Sequence, residues 1–519
     1  MSFFLFHFIK LFNLAFYISV SMKKIKFPSA QTILLLIAAM VTLLTWVVPA
    51  GKYNQLSYDK ETKMFNIKNG EASKTVAGTT KTLDSLGIKI PIEKFTSGDI
   101  WKPINIPNTY EEVDAKPQGF FDLVKSPIKG IIAGADIIFL VLFIGGLIGL
   151  MNETGAFDAG ISWLAIKLKG KEYILIILVT ALISVGGTTF GLAEETIAFY
   201  PILIPVFLAA KYDAMVALAS IYVGSCIGTM CSTTNPFSAI IASNAAGINW
   251  TSGLNTRFVA YVLGTLICII YIMRYAKKVK NDASQSIIYD QKEEIENLFK
   301  NNTESNLQLT TRLRVILFIF LLCFVVMIYG VAKLEWWFLE MTTVFFVGSI
   351  LIGFVARIKE AKFIETFVKG AGELLSVAII IGIARGITVI MDDGMISDTM
   401  LYYASHITEG MNKGLFANVL FVIYGGLSFF IPSSSGMAVL TMPIMSPLAD
   451  TVGIGRETVV DCYQYGMGLF SFISPTGLIL ASLAIVKVGY DKWLKFVLPL
   501  VFILFLFSIV MLTISVYLT

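Results

Sequence analysis

The sequence predicts an all-α polytopic membrane protein with two inverted repeats, and three observations lead to this fold class. First, 56% of the 519 residues are hydrophobic and only 15% are charged, whereas soluble chains are about 25% charged. Second, the apolar residues come in runs of about twenty, the length that a helix needs to cross a bilayer core. Third, two stretches interrupted by glycine, proline and polar residues share one pattern, which indicates a duplicated unit.

Composition excludes several other classes of protein. The net charge of +4 is too small a basic excess to indicate a nucleic-acid partner. Two histidines leave little room for histidine-based metal or triad chemistry. The five cysteines lie in apolar stretches without paired spacing, which predicts free thiols. The sequence also lacks metalloprotease, phosphate-loop and dinucleotide-binding motifs. We therefore expect neither an enzyme nor a bound cofactor, and no metal beyond a coupling Na⁺.

The first elements are an N-terminal extension, one helix and a loop insertion. Residues 1–21 are apolar but interrupted by polar residues; an upstream start codon, a signal-like segment and an extra helix all fit this pattern, and no cleavage site is evident. We expect the first transmembrane helix in residues 22–50, because a basic entry leads directly into an apolar run. Residues 51–117 are charged and turn-rich, which predicts an extracytoplasmic insertion.

Basic residues beside the apolar spans predict the orientation, because Lys and Arg are retained on the cytoplasmic side. The clusters are Lys23, Lys24 and Lys26; Lys167, Lys169 and Lys171; Arg274, Lys277, Lys278 and Lys280; and Arg357, Lys359 and Lys362. All of them are cytoplasmic only if residues 173–210 form a re-entrant hairpin. The same reasoning predicts a second re-entrant hairpin in residues 414–449. We expect about nine crossings and two hairpins, with a cytoplasmic N-terminus and an extracytoplasmic C-terminus. Residues 277–311 are then a cytoplasmic linker, and 312–357 hold two scaffold helices.

The internal repeat has the arrangement of a transporter. The repeats are residues 118–276 and 358–519, with broken helices at 214–246 and 457–487. Gly186-Gly187 in the first repeat is matched by Gly425-Gly426 in the second. An odd number of crossings separates the matching spans, so we expect the repeats to have opposite orientations in the membrane. Inverted repeats with broken helices are typical of secondary transporters, whose binding site lies near the bilayer midplane between the repeats.

The candidate binding residues lie at the hairpin tips and helix breaks. Unwound backbone at membrane depth is tolerated only where protein or a water-filled cavity satisfies it. Its carbonyls, with hydroxyl and amide oxygens, suit a small cation such as Na⁺, while half-helix amino termini suit an anionic group. The alternative is that the hydroxyls bond to their own helix backbone. The candidates are Thr188, Thr189, Glu194 and Glu195 at the first tip, Ser232, Thr233, Thr234 and Asn235 at the first break, Ser433, Ser434 and Ser435 at the second tip, and Ser474 and Thr476 at the second break.

Charged residues within the membrane sharpen this prediction. A carboxylate in a bilayer costs about 2.5–3.5 kcal/mol, so by default it marks a path for a substrate, proton or ion. Because Glu194 and Glu195 are adjacent, we expect one to face the cavity and the other a structural partner; the alternative is an interfacial pair at the hairpin mouth. Arg385, deep in a span, either neutralises the Asp392-Asp393 pair or a hairpin glutamate, or binds a substrate carboxylate. Asp461 is a second candidate charge partner.

The stretches Gly186–Pro201 and Ile431–Gly436 resemble the C4-dicarboxylate uptake C family of the ion-transporter superfamily. They are most similar to its YfcC-like branch, which is described as basic amino acid antiporters. The resemblance implies a homodimer in which a scaffold part holds a moving transport part. It also implies one half-site at Thr188, Thr189 and Asn235, and another at Ser433, Ser434, Ser474 and Thr476. The dicarboxylate carriers of the superfamily commonly have Ser-Asn-Thr at both tips, and neither tip here has it. Glutamates in that place disfavour a dianionic substrate, because like charges repel.

We therefore expect a secondary active transporter of a small organic solute in a bacterial inner membrane. The expected substrate is a basic or zwitterionic amino acid, moved by alternating access that is coupled to Na⁺ or H⁺ or driven by exchange. A C4-dicarboxylate is the alternative substrate. An ion channel and an intramembrane hydrolase using Ser435 and His406 are alternatives of other classes. The expected partners are the substrate, the lipid bilayer and a second copy of the chain, but not nucleic acid.

Overall fold

The protein is mostly helical, as predicted. The computed structural model describes residues 28–70, 72–160, 163, 170–299, 309–334, 336–408 and 410–518. Within these residues, eight helices are long and apolar enough to cross a membrane, which confirms the class of polytopic helical membrane protein. The number of crossings and the inversion of the repeats stay predictions, and the extension of residues 1–21 lies outside the described residues. The five cysteines are buried free thiols.

The first half of the chain contains a bent helix pair, a hairpin and an interrupted helix. Its helices are α1 (Ala30–Leu44), α2 (Thr80–Ser85), α3 (Glu93–Thr96), α4 (Phe120–Ala133), α5 (Ala135–Glu153), α6 (Tyr173–Phe190), α7 (Tyr200–Ala209), α8 (Ala214–Met230), α9 (Ile241–Ala245), α10 (Leu254–Asn281) and α11 (Lys292–Leu298). Helices α4 and α5 meet at Gly134. The tip between the hairpin arms α6 and α7 includes a 3₁₀ turn, Glu194–Phe199. The interrupted helix stops at Met230 and resumes through a π turn, Pro236–Ile240, into α9.

The second half also contains a bent helix pair, a hairpin and an interrupted helix. Its helices are α12 (Thr311–Lys333), α13 (Phe338–Ala356), α14 (Glu360–Glu373), α15 (Leu375–Asp393), α16 (Ser397–Ile407), α17 (Lys413–Phe430), α18 (Ser434–Val452), α19 (Arg456–Ser471), α20 (Ile479–Val486) and α21 (Tyr490–Leu518). Helices α14 and α15 meet at Leu374, α17 and α18 form the hairpin, and α19 and α20 form the interrupted helix. Two tips and two helix breaks are thus available to build a site.

The insertion is a small β-subdomain, a feature that the all-α class does not include. Its strands are β1 (Gly51–Lys52), β2 (Gln55–Asp59), β3 (Met64–Asn69), β4 (Ala72–Ala77), β5 (Ile104–Asn105) and β6 (Glu111–Glu112). One antiparallel sheet has the order β4-β3-β2-β5, and β1 pairs with β6. Leu56, Phe65 and Ile104 are fully buried and give the subdomain a core of its own. In β2 the polar residues Gln55, Ser57 and Asp59 alternate with Leu56 and Tyr58, which follows the two-residue period of a strand.

Helices of the two halves pack on one another across the molecule. Helix α4 packs against α15, and α5 packs against α14. These crossings are close because glycines face each other: a Cβ at Gly130 would lie 2.1 Å from the carbonyl oxygen of Gly382, and one at Gly370 would lie 2.4 Å from that of Gly145. Small residues are the usual means of close helix packing in membranes. The elements around the site are therefore held at backbone-to-backbone distance.

Candidate functional site

A cavity of about 250 Å³ lies where the tips and breaks of both halves meet. Its wall is formed by both hairpin tips, both interrupted helices, α15 and the first turn of α13. Of the predicted site residues, those that line it are Glu194, Glu195, Asn235, Arg385, Ser433, Ser434, Ser435 and Thr476. The structure thus brings eight of the candidate residues, from distant parts of the sequence, into the wall of one cavity.

The first tip turns the two glutamates into the cavity. Helix α6 ends because Gly191 adopts a left-handed backbone, with φ of 79°, and its N–H bonds to the carbonyl oxygen of Gly186 at 3.1 Å. The chain then forms the 3₁₀ turn that carries the acidic pair. Glu195 is 7% exposed, and its Oε2 accepts a hydrogen bond from the backbone N–H of Ala193 at 3.1 Å. Glu194 is half-buried and interacts electrostatically with Arg385. Both carboxylates line the cavity.

Hydroxyl groups join the first tip to the first break rather than facing the cavity. Thr188 Oγ1 donates to the carbonyl oxygen of Cys231 at 2.8 Å, and the N–H of Thr233 donates to the carbonyl oxygen of Thr188 at 3.0 Å. Thr234 Oγ1 donates to the carbonyl oxygen of Thr189 at 3.2 Å. Asn235 caps the π turn, because its Oδ1 accepts from the N–H of Phe237 at 2.8 Å. We call these contacts the first clasp.

Two hydroxyls of this region bond to their own helices, the alternative considered from the sequence. Thr189 Oγ1 donates to the carbonyl oxygen of Val185 at 2.6 Å, and Ser232 Oγ donates to that of Thr229 at 2.6 Å. Neither residue lines the cavity. Such bonds to a preceding turn are common for Ser and Thr in membrane helices.

The second tip and break form a matching second clasp. Thr476 Oγ1 donates to the carbonyl oxygen of Phe429 at 2.8 Å and lies 2.7 Å from Ser474 Oγ. Ser433 caps α18, because its Oγ accepts from the N–H of Gly436 at 3.2 Å. The hydroxyl of Ser435 accepts a hydrogen bond from Lys102 Nζ at 2.8 Å. The second tip therefore presents a capped helix N-terminus and two hydroxyls to the cavity.

The two predicted charge partners have separate roles. Arg385 lines the cavity and packs on the bend between α4 and α5, where a Cβ at Gly134 would lie 3.2 Å from its Cγ. The neighbouring aspartates are occupied elsewhere: Asp393 pairs with Lys129 at 2.5 Å, and Asp392 accepts from Ser397 at 2.9 Å. Of the acidic residues considered for Arg385, the hairpin glutamate is the one in electrostatic reach.

Asp461 lies outside the cavity and belongs to a buried ion pair. Its Oδ1 is 3.2 Å from Nε of Arg257, and the side chains are 1% and 0% exposed. Arg257 lies in the first turn of α10 in the first half, and Asp461 lies on α19 in the second, so the pair links the halves. Arg257 Nη2 also donates to the carbonyl oxygens of Trp250 and Ser252.

Three functional candidates were not predicted from the sequence. Arg257 directly precedes an apolar run, which is the signal that could have marked it as an intramembrane cation. Trp337 at the start of α13 lines the cavity, and Lys102 reaches Ser435 from the insertion. Nothing local distinguishes Lys102 from the other lysines of a polar segment.

Comparison with known proteins places the chain in a family. Residues 27–517 match the model of the C4-dicarboxylate anaerobic carrier family, DcuC. An uncharacterized protein of Haemophilus influenzae is 43% identical over 497 residues, covering 95% of this chain and 98% of that protein. The Escherichia coli protein named "Putative basic amino acid antiporter YfcC" is 28% identical over 505 residues, and the match covers 93% of this chain and 94% of that protein.

Two solved structures of transporters show a distant likeness. YdaH of Alcanivorax borkumensis is 12% identical, with a TM-score of 0.40, and the match covers 94% of this chain and 98% of that one. MtrF of Neisseria gonorrhoeae is 15% identical, with a TM-score of 0.41, and the match covers 95% of this chain and 96% of that one. A likeness of this size supports no conclusion about the fold. The family match covers nearly the whole chain, however, and it agrees with the membrane-spanning helices. The chain therefore belongs to the C4-dicarboxylate anaerobic carrier (DcuC) family and is a multi-pass membrane transporter rather than an enzyme.

Proposed function

We propose that the protein is a secondary active transporter of a basic or zwitterionic amino acid. The observation that carries this proposal is that Glu194, Glu195 and Arg385 line one cavity. An amino acid has an ammonium group and a carboxylate, and this cavity offers a partner for each. A basic side chain would add a second cation to a site that already holds two carboxylates.

The electrostatics favour this substrate over a dianion. The glutamates need a cationic partner, since an isolated carboxylate at membrane depth costs about 2.5–3.5 kcal/mol. Arg385 can bind a carboxylate through two parallel hydrogen bonds. A C4-dicarboxylate would bring two negative charges beside Glu194 and Glu195, and like charges in one site repel.

The relatives support both this proposal and its alternative. The name of the Escherichia coli relative is that of a basic amino acid antiporter, and antiport agrees with transport by exchange. The family description names C4-dicarboxylates, and Arg385 is a suitable partner for a dicarboxylate. A C4-dicarboxylate is therefore the second candidate substrate.

The proposed mechanism is an elevator-like alternating-access cycle. Each clasp ties a hairpin tip to the break of its own half, so tip and break would move together as one body. The coupling ion would be Na⁺ at the clasp oxygens or H⁺ on a cavity glutamate. Without ion coupling, transport would proceed by exchange of one substrate for another. We further propose a homodimer in a bacterial inner membrane, with opposite orientation of the two repeats, a cytoplasmic N-terminus and an extracytoplasmic C-terminus.

Uptake into proteoliposomes tests the substrate. The purified protein is reconstituted, and uptake of arginine, ornithine, leucine and succinate is measured under an imposed Na⁺ gradient, a proton gradient, or internal preloading with the same compound. Saturable uptake of an amino acid with counterflow would support the proposal and exclude a channel. Uptake of succinate alone would contradict the charge argument and favour the dicarboxylate.

A further inference from the structure

One lysine of the insertion contacts a residue of the cavity wall. Lys102 Nζ donates to Ser435 Oγ at 2.8 Å, and Ser435 is a buried residue of the cavity wall. The same ammonium lies 4.7 Å from the ring centre of Trp101 and 5.9 Å from that of Trp337. Trp337 also lines the cavity. Lys102 therefore reaches the edge of the site from the insertion and not from one of the membrane helices.

The position of Lys102 is held by a folded structure. Ile104 and Asn105 form β5, both are fully buried, and β5 packs against α18 of the second hairpin. Asn105 Nδ2 also donates to Asp398 Oδ1 at 3.0 Å. Because these contacts begin two residues after Lys102, its backbone is anchored beside the second tip, and its side chain has a defined reach.

Lys102 and Arg385 are two cations at this site, and Glu194 is in electrostatic reach of Arg385. Among the described residues, no carboxylate oxygen lies within 4.0 Å of Lys102 Nζ or of the guanidinium nitrogens of Arg385. Loss of solvation, followed by the charge of Arg385, lowers the pKa of Lys102. Each cation therefore disfavours the other, and an anion bound between them would relieve that repulsion. A carboxylate is a suitable anion, since ammonium, guanidinium and hydroxyl groups all donate hydrogen bonds to it.

We propose that Lys102 is a substrate-binding residue, which acts with Arg385 and Ser435 to bind the carboxylate of an amino acid. This inference rests on the proposed function and names a specificity determinant within it. The glutamates bind the ammonium of the substrate, and the insertion supplies the second cation for its carboxylate. Only a compound with both groups uses the whole site. A decarboxylated amine offers no carboxylate to Lys102 and Arg385 and binds more weakly.

The test compares each amino acid with its own decarboxylated amine. In proteoliposomes of the full-length protein, uptake of the transported amino acid is measured in the presence of a competing compound. The competitors are three pairs of an amino acid and its amine: arginine and agmatine, ornithine and putrescine, and leucine and isoamylamine. In the wild-type protein we expect the amino acid to inhibit about tenfold better than the amine, or more, because a hydrogen bond between charged groups is lost. Lys102→Met should lower this ratio several-fold, because only Arg385 and Ser435 then bind the carboxylate, and Lys102→Arg should preserve most of it.

Lys89→Met is the matched control. Lys89 is also a lysine of the insertion and pairs with Asp450 of α18 at 3.2 Å, but Asp450, unlike Ser435, is not a residue of the cavity wall. If Lys102 only anchors the insertion, Lys102→Met and Lys89→Met will both keep the wild-type ratio, and the inference is wrong while the proposed function stands. If the wild-type protein transports none of the amino acids, the proposed function fails and the inference fails with it. Thermal unfolding and membrane yield verify that each variant is folded.

Discussion

At the scale of single residues, the two cavity glutamates differ in burial, since Glu194 is half-buried and Glu195 is buried. Glu195 is buried and its carboxylate accepts one backbone hydrogen bond, which a glutamine oxygen could also accept. Glu195→Gln should therefore fold, yet lose a charge that substrate or proton requires. We expect uptake to fall about tenfold or more, since a charged hydrogen bond contributes about 1.5–3 kcal/mol, and to lose its pH dependence. The measurement is uptake by proteoliposomes between pH 5.5 and 8.5, roughly the range in which a buried carboxylate can titrate.

Glu172→Gln is the control for this change. The backbone N–H of Gly170 and the ammonium of Lys280 hold the pKa of Glu172 at about 2. This residue lies at the mouth of the first hairpin and stays ionised throughout the assay, so its replacement should leave the pH profile unchanged. Wild-type uptake by Glu195→Gln at every pH would show that the buried carboxylate has no part in transport.

The ion pair between Arg257 and Asp461 makes a prediction about stability. Asp461→Asn leaves a buried guanidinium without its counter-charge, and breaking a buried pair in this way costs about 3–5 kcal/mol. We expect a clearly lower thermal unfolding midpoint in detergent. Asp290→Asn removes an exposed partner of Lys492 and should change stability little, since surface pairs contribute about 0–1 kcal/mol. Equal midpoints for the two variants would contradict the argument.

At the scale of elements, close helix crossings position the tips and breaks. Helices α6 and α8 touch at their glycines: a Cβ at Gly228 would lie 2.3 Å from the carbonyl oxygen of Ser184 and 2.9 Å from Cα of Gly187. These atoms belong to backbone and cannot move aside as a side chain could. The crossing directly precedes both the first tip and the first break, so it determines how the first clasp is assembled.

Gly228→Ala should therefore force α6 and α8 apart. We expect a loss of about 1–3 kcal/mol in stability, the usual cost of overpacking, measured as a lower thermal unfolding midpoint. Gly426→Ala is the matched control, because a Cβ at this helical glycine meets nothing within 4 Å. That change should leave stability unchanged or raise it slightly, since alanine has the higher helix propensity. A midpoint for Gly228→Ala equal to that of Gly426→Ala would contradict the packing argument.

At the scale of the whole molecule, the insertion is docked onto the second half of the chain. Asp398 of α16 accepts hydrogen bonds from the N–H of Tyr53 and from Asn105 Nδ2, both at 3.0 Å. Tyr110 stacks on Tyr402 of the same helix with ring centres 4.1 Å apart. The insertion and α16 are thus joined by polar and aromatic contacts, and a motion of one would involve the other.

Removing the docking carboxylate should loosen the insertion. We expect Asp398→Ala to be cut by trypsin several-fold faster within residues 51–117, because buried backbone and amide donors lose their acceptor. Mass spectrometry of a digestion time course would locate and quantify the cuts. Asp393→Ala, which removes only an exposed partner of Lys129, should digest at the wild-type rate. Equal rates for both variants would mean that Asp398 does not hold the insertion in place.

The membrane class and the order of the elements were predictable because both follow from local patterns. Apolar runs predict spans, and glycine, proline and polar residues within such runs predict tips and breaks. Glu194, Glu195 and Arg385, which line the cavity, could be singled out as candidates for a related reason, since a charge in an apolar run is costly and therefore informative. Hydroxyl residues carry no comparable cost, so the sequence could not separate Thr189, which bonds to its own helix, from Ser435, which faces the cavity.

By itself, the sequence determined that this is a helical membrane protein with two tips and two breaks that contain polar residues. Only the tertiary structure decided which of these groups meet: the clasps, the pairing of Asp461 with Arg257, and the approach of Lys102 to Ser435. The physical reason is distance along the chain. Hydrophobicity and backbone preference act over a few neighbouring residues, whereas these contacts join helices from different parts of the sequence and arise only when the packed helices bring them together.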